Sequence, residues 1–244
     1  MSETTKPLSG TPRFSLAILF LWVTLVSVSV GAWLMLLQGF FEDDFTGLLD
    51  WFSMLFYGTS AIVLGTGVTV AALIGFWFYR GHCWAWQPGH ILPPAMSFYE
   101  LVTMLAVAVD LVMFDEEVGY SSFRQSIYAY EGLVQYTGIT LMLSAYLCLI
   151  RTTRFWQFVF GMLIFENLLI LCMINPFELA MGQVISFETL RWSSVVTRII
   201  IFVLMLLLTV WELIQREWRD WLHWVGLAVA LIYFFVRTNI LAWS

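Results

Sequence analysis

Lysine is almost missing from this chain: Lys6 is the only one in 244 residues. A retinal-type photoprotein needs a Schiff-base lysine inside a span, so that chemistry is excluded. Charge as a whole is scarce. Charged residues make up 11% of the chain, against about 25% in a soluble domain, too few to coat a water-facing surface. The eleven basic residues form no stripe, so nucleic acid is excluded as a partner. Cysteine is limited to Cys83, Cys148 and Cys172, with no C-x-x-C spacing. They specify no redox compartment, and the two that fall within apolar runs, Cys148 and Cys172, behave as small hydrophobes.

Histidine is limited to His82, His90 and His223. None is expected deep within a span, which argues against the axial ligation of a buried haem, and no cofactor is called for. The six prolines, Pro7, Pro12, Pro88, Pro93, Pro94 and Pro176, are all expected outside the spans. That weighs against the Pro-interrupted helices of many ion-coupled transporters. Regularly spaced arginines of the voltage-sensing kind are absent as well.

What the chain has instead is apolar length. Hydrophobic residues make up 61% of it, with a mean hydropathy of +0.85, so lipid must be the solvent for most of the surface. Seven runs of spanning length can be marked, roughly 14–38, 54–79, 95–114, 131–150, 155–174, 190–214 and 221–243. At about 1.5 Å per residue each covers about 30 Å or more as a helix. The expected fold is therefore all-α, a polytopic bundle of about seven transmembrane helices. Residues 1–13 form a short polar lead-in and residues 14–244 a single transmembrane domain. The first run is too long for a signal-peptide core and is read as a retained span.

The turns between runs alternate in charge. Lys6, Arg13, Arg80, Arg151, Arg154, Arg216 and Arg219 fall on the N-terminal side. Glu42, Asp43, Asp44, Asp115, Glu116, Glu117, Glu178 and Glu188 fall on the other. By the positive-inside rule the N-terminus is expected in the cytoplasm and the C-terminus across a cell membrane. Tryptophans such as Trp51, Trp77, Trp156 and Trp221 cluster near run ends, where an indole suits the headgroup layer.

Ionisable residues inside spans are costly and mark either structural pairs or a functional pathway. Asp110, Glu166, Asn167, Arg198 and Arg237 form the candidate intramembrane polar cluster. Glu166 and Arg198 each lie about 12 Å from the same expected surface on consecutive runs, so they are expected to pair. Asp110 and Arg237 either pair or snorkel outward. Glu100, Glu212 and Arg80 are expected near one level on the opposite side. In the second run, Gly67, Ala71 and Gly75 recur every four residues, a face on which another helix can approach closely. It would serve packing within the chain or contact with another membrane subunit.

The segment Gly81–His90 places His82, Cys83 and His90 on the same expected side as His223. These four are candidate metal ligands, although the spacing matches no established site. No catalytic residue emerges. Three functional readings follow. The first is a non-catalytic scaffold or accessory subunit, which requires a dry interior and an exposed groove along Gly67, Ala71 and Gly75. The second is a small-solute or ion transporter or channel, which requires a cavity reaching Asp110, Glu166 and Arg198. The third is a membrane enzyme, which requires the histidines to converge.

Overall fold

A computed structural model describes residues 15–40, 51–80, 87–113, 122–149, 153–173, 187–215 and 219–243. Those residues form seven helices, and among them there is no strand. The helices are α1 (Leu16–Phe40), α2 (Trp51–Tyr79), α3 (Pro88–Met113), α4 (Ser122–Leu149), α5 (Arg154–Met173), α6 (Phe187–Ile214) and α7 (Trp221–Trp243). Five of them, α1, α2, α3, α5 and α6, are long and apolar enough to cross a membrane. Helix α4 is long but more polar. In α7 the apolar stretch within the described side chains runs over Trp221–Val236.

Burial is inverted relative to a water-soluble protein. Glu100, His90 and His223 are 0% exposed, whereas Phe78 is 80% and Val112 83% exposed. Polar groups buried inward and large hydrophobics turned outward make sense when the surrounding solvent is hydrocarbon.

Side-chain contacts fix the helix directions. Gly89 meets His223 and Glu100 meets Tyr233, so α3 and α7 run parallel. Trp156 meets Glu212 and Glu166 meets Arg198, so α5 and α6 run antiparallel. Helices α3, α4, α5, α6 and α7 pack in sequence and α7 closes back on α3, giving a five-helix ring. Helix α2 packs outside it on α3 and α7, and α1 packs on α2 and α3. The ring's core includes Leu143, Tyr146, Trp156, Phe160, Ile201, Met205 and Leu227.

The third helix begins earlier than the apolar run beginning at residue 95, and the expectation that every proline lies outside the spans is corrected. Pro88 opens α3, and Pro93 and Pro94 lie within it. Pro88 suits a first-turn position, where no N–H partner is needed. Pro93 and Pro94 offer no N–H to the carbonyls of Gly89 and His90. The Gly89 carbonyl instead abuts α7: a Cβ built on Gly226 would sit 1.8 Å from its oxygen. A Cβ on Gly89 would likewise lie 2.1 Å from the carbonyl oxygen of His223. Backbone approach this close requires a glycine on one side of each contact.

The longer α3 also corrects the expected level of Glu100, Glu212 and Arg80. Glu100 lies twelve residues into α3, about 18 Å along its axis, and accepts a hydrogen bond from Tyr233 at 2.8 Å. Glu212 sits near the end of α6 with other partners, and the Arg80 guanidinium stacks on Phe76. The three do not meet.

The packing face of α2 differs from the series Gly67, Ala71 and Gly75. Gly67 is buried, and a Cβ there would lie 2.3 Å from the Pro93 carbonyl oxygen. Ala71 is exposed, and Gly75 has nothing within 4 Å. The second close approach runs through Gly65, where a Cβ would lie 2.6 Å from the Val26 Cα in α1. Two partners on two sides of α2 explain the difference: α3 takes the face of Gly67 and α1 that of Gly65.

Candidate functional site

Among the buried polar groups described along the ring, two centres are the most extensive. The first joins the starts of α3 and α7 to the end of α6. Gln87 precedes Pro88 and accepts the His90 N–H through its backbone carbonyl at 2.9 Å. The Gln87 N–H in turn donates to His90 Nδ1 at 3.2 Å. Asp220 does the same work for α7, its Oδ1 accepting the His223 N–H at 2.9 Å. Both are N-terminal capping arrangements, with the partner histidine three residues on.

The two caps are also crossed. His90 Nε2 bonds Asp220 Oδ1 at 2.8 Å, the Gly89 N–H donates to His223 Nδ1 at 3.1 Å, and the Asp220 N–H donates to Gln87 Oε1 at 3.3 Å. His223 Nε2 meets Glu212 Oε2 at 3.0 Å. The other Glu212 oxygen accepts from Trp156 Nε1 at 2.8 Å and Arg219 at 2.7 Å.

These partners assign both tautomers. Each Nδ1 accepts a backbone N–H, so each Nε2 carries the proton and donates it to a carboxylate. Neither imidazole keeps a lone pair for a metal or a substrate proton. His90 and His223 converge, with ring centroids 6.4 Å apart, but as parts of a helix-capping network. Among the described residues no group of three or more His, Cys, Asp or Glu side chains is placed to hold a metal ion. His82 and Cys83 lie outside the described residues.

The second centre lies in mid-ring, a cavity of ≈ 90 Å³ that all five ring helices line. Its apolar wall includes Leu92, Ala95 and Met96 of α3, Ile139 and Leu143 of α4, and Leu163 of α5. Glu166, Asn167 and Arg198 also line it, with Tyr99, Tyr136 and Tyr233 alongside. A volume several times the ~10–15 Å³ that admits one water leaves room for a small solute. Buried Tyr146, Trp156, Phe160 and Leu227 belong to the packed core of the same ring.

Arg198 Nε donates to Glu166 Oε1 in an ion pair that leaves the two side chains 17% and 6% exposed. Asn167 donates Nδ2–H to the Leu163 carbonyl at 2.8 Å. Among the described residues the two terminal nitrogens of Arg198, Glu166 Oε2 and Asn167 Oδ1 have no hydrogen-bond partner. The polar wall therefore presents cationic donors beside anionic and neutral acceptors. Tyr99 and Tyr136 stack edge to face beside it, with centroids 5.8 Å apart.

Of the intramembrane polar residues, Glu166, Asn167 and Arg198 thus meet at one cavity. Asp110 does not join them. It lies about three turns beyond Tyr99 along α3, and Tyr128 donates to its Oδ2 at 2.8 Å. The side chain of Arg237 lies outside the described residues. The cavity tyrosines and the Asp220 cap were not singled out from the sequence. For the caps a signal exists, because Gln87-Pro88-Gly89-His90 and Asp220-Trp221-Leu222-His223 share a cap-to-histidine spacing of three. The cavity tyrosines carry no comparable signal, since aromatic residues are common throughout the chain.

Compared with protein-family models, curated proteins and solved structures, the chain matches none.

Proposed function

We propose that this is a small-solute transporter of a cell membrane, with its substrate site in the cavity of the five-helix ring. One observation carries the reading: a cavity in the middle of a bundle of lipid-exposed helices, lined by Glu166, Asn167 and Arg198. Midplane sites between helices are where membrane transporters hold their cargo. Ion-pair atoms left open toward a cavity are hard to account for by packing alone. The capping network of α3, α6 and α7 acts as the closed end of the path, so the solute approaches from the other end. Under the positive-inside rule the closed end faces the cytoplasm.

The test uses the full chain reconstituted in liposomes loaded with a mixture of small organic solutes, whose loss is followed by mass spectrometry. Selective exchange above that of empty liposomes is expected. Leu163→Trp, which fills the cavity, abolishes it while the protein still elutes as a folded species. An exchange profile identical to empty liposomes for the wild-type chain contradicts the proposal.

A second reading, a scaffold or accessory subunit, draws on α2. Ala71 is exposed and Gly75 has no neighbour within 4 Å, which leaves a small-residue surface for another membrane helix. The cavity counts against it as the main role, because a scaffold has no use for an internal void. An enzyme built on His90 and His223 is the least supported, since both ring nitrogens of each are already bonded.

A further inference from the structure

The ion pair itself selects the substrate's charge. Glu166 neutralises Arg198 within the cavity wall, so a bound monoanion or monocation would leave one uncompensated charge in a low-dielectric interior. A net-neutral ligand avoids that cost. The unpartnered atoms are two guanidinium nitrogens on one side, with Glu166 Oε2 and Asn167 Oδ1 on the other. A carboxylate fits the first set in paired N–H···O geometry, and an ammonium group fits the second. The remaining wall is aliphatic and aromatic, and a cavity of ≈ 90 Å³ excludes a two-chain lipid.

We propose that the ligand is a small zwitterion with a short apolar tail, of the kind of an aliphatic α-amino acid. Its carboxylate lies on the Arg198 guanidinium, its ammonium group on Glu166 and Asn167, and its side chain against Leu92, Met96 and Leu163. This assignment rests on the cavity being the substrate site, and it adds which chemistry that site accepts. It needs no ion gradient for charge balance, because both partners are net neutral.

The probe is leucine itself, compared with N-acetyl-leucine, which keeps only the anion, and leucine methyl ester, which keeps only the cation. Binding is measured by calorimetry on the purified full chain in lipid nanodiscs. Leucine is expected to bind at least about tenfold more tightly than either derivative, a difference of about 1.4 kcal/mol. In Glu166→Gln the order changes: N-acetyl-leucine gains on leucine, because Arg198 then lacks its neutralising partner. Should that variant fail to fold, the E166Q/R198Q pair removes both charges together. It is expected to lose the preference for leucine over both derivatives.

Tighter binding of either derivative than of leucine overturns the zwitterion assignment and leaves the cavity as a substrate site. Failure of all three ligands to bind, with solute exchange still blocked by Leu163→Trp, overturns the assignment alone. Failure of all three with no exchange by the wild-type chain overturns both.

Discussion

The two polar centres of the ring are built from similar side chains and differ in how fully those side chains are bonded. At the starts of α3 and α7, both ring nitrogens of His90 and of His223 and both oxygens of Glu212 are bonded to the protein. At the cavity, Arg198 and Glu166 hold each other by one bond and keep further donors and acceptors open. Buried polar groups bonded on every side lock helices together, whereas open donors and acceptors beside a void are what the proposed substrate site requires. The histidines, which look like chemistry in the sequence, serve as caps. The ion pair, which looks like a structural staple, lines the cavity.

This contrast sets a scale of expected effects. The largest belongs to the network. Glu212→Ala strands Trp156, Arg219 and His223 together, and removing one partner of a buried ion pair costs about 3–5 kcal/mol. A loss of thermal stability in detergent should show it, and a change close to zero would deny the network its structural role. Next comes the cavity pair. Glu166→Ala leaves Arg198 uncompensated and destabilises by about 3 kcal/mol, whereas Glu166→Leu with Arg198→Met comes close to neutral because both charges go together. Equal destabilisation by the single and the double change would show that the pair carries no coupling.

Packing effects are smaller. Gly226→Ala drives a methyl group into the Gly89 carbonyl, and forced overpacking of this kind costs about 1–3 kcal/mol. Gly75→Ala meets open space and should stabilise α2 by about 0.5–1 kcal/mol through helix propensity. Thermal unfolding of the two variants side by side distinguishes the packed glycine from the open one. Reversed signs would mean that α3 and α7 are not in contact through these residues. Of similar size to Gly226→Ala is Tyr233→Phe, which removes the hydrogen bond to the buried Glu100 and should cost about 1–3 kcal/mol, read in the same way.

Much of this was legible before any coordinates. Seven apolar runs become seven helices because hydrocarbon leaves the backbone no partner except itself. Glu166 and Arg198 meet because matched depth on consecutive antiparallel helices is a strong geometric constraint. The start of α3 was not legible. Pro93-Pro94 reads as punctuation in water-soluble sequences, but here the freed Gly89 carbonyl finds a glycine on α7, a partner 137 positions away. For the same reason the sequence does not reveal that His90 lies within α3 or that it belongs to a capping network. The ring closure between α3 and α7 depends on that long-range glycine contact, and no local pattern reports it. The face of α2 was misjudged at Ala71 and Gly75 because a repeat of four cannot tell which neighbours are present.

The central claim is that the mid-ring cavity is open to small polar molecules while the core around it is sealed. A cysteine-free background carrying Asn167→Cys tests this directly, with Leu227→Cys in the fully buried core as control. Both are treated in liposomes with a small water-soluble thiol reagent, and modification is read by mass spectrometry. The account predicts rapid modification of Asn167→Cys, its suppression by Leu163→Trp, and no modification of Leu227→Cys. Equal protection of the two cysteines would contradict it.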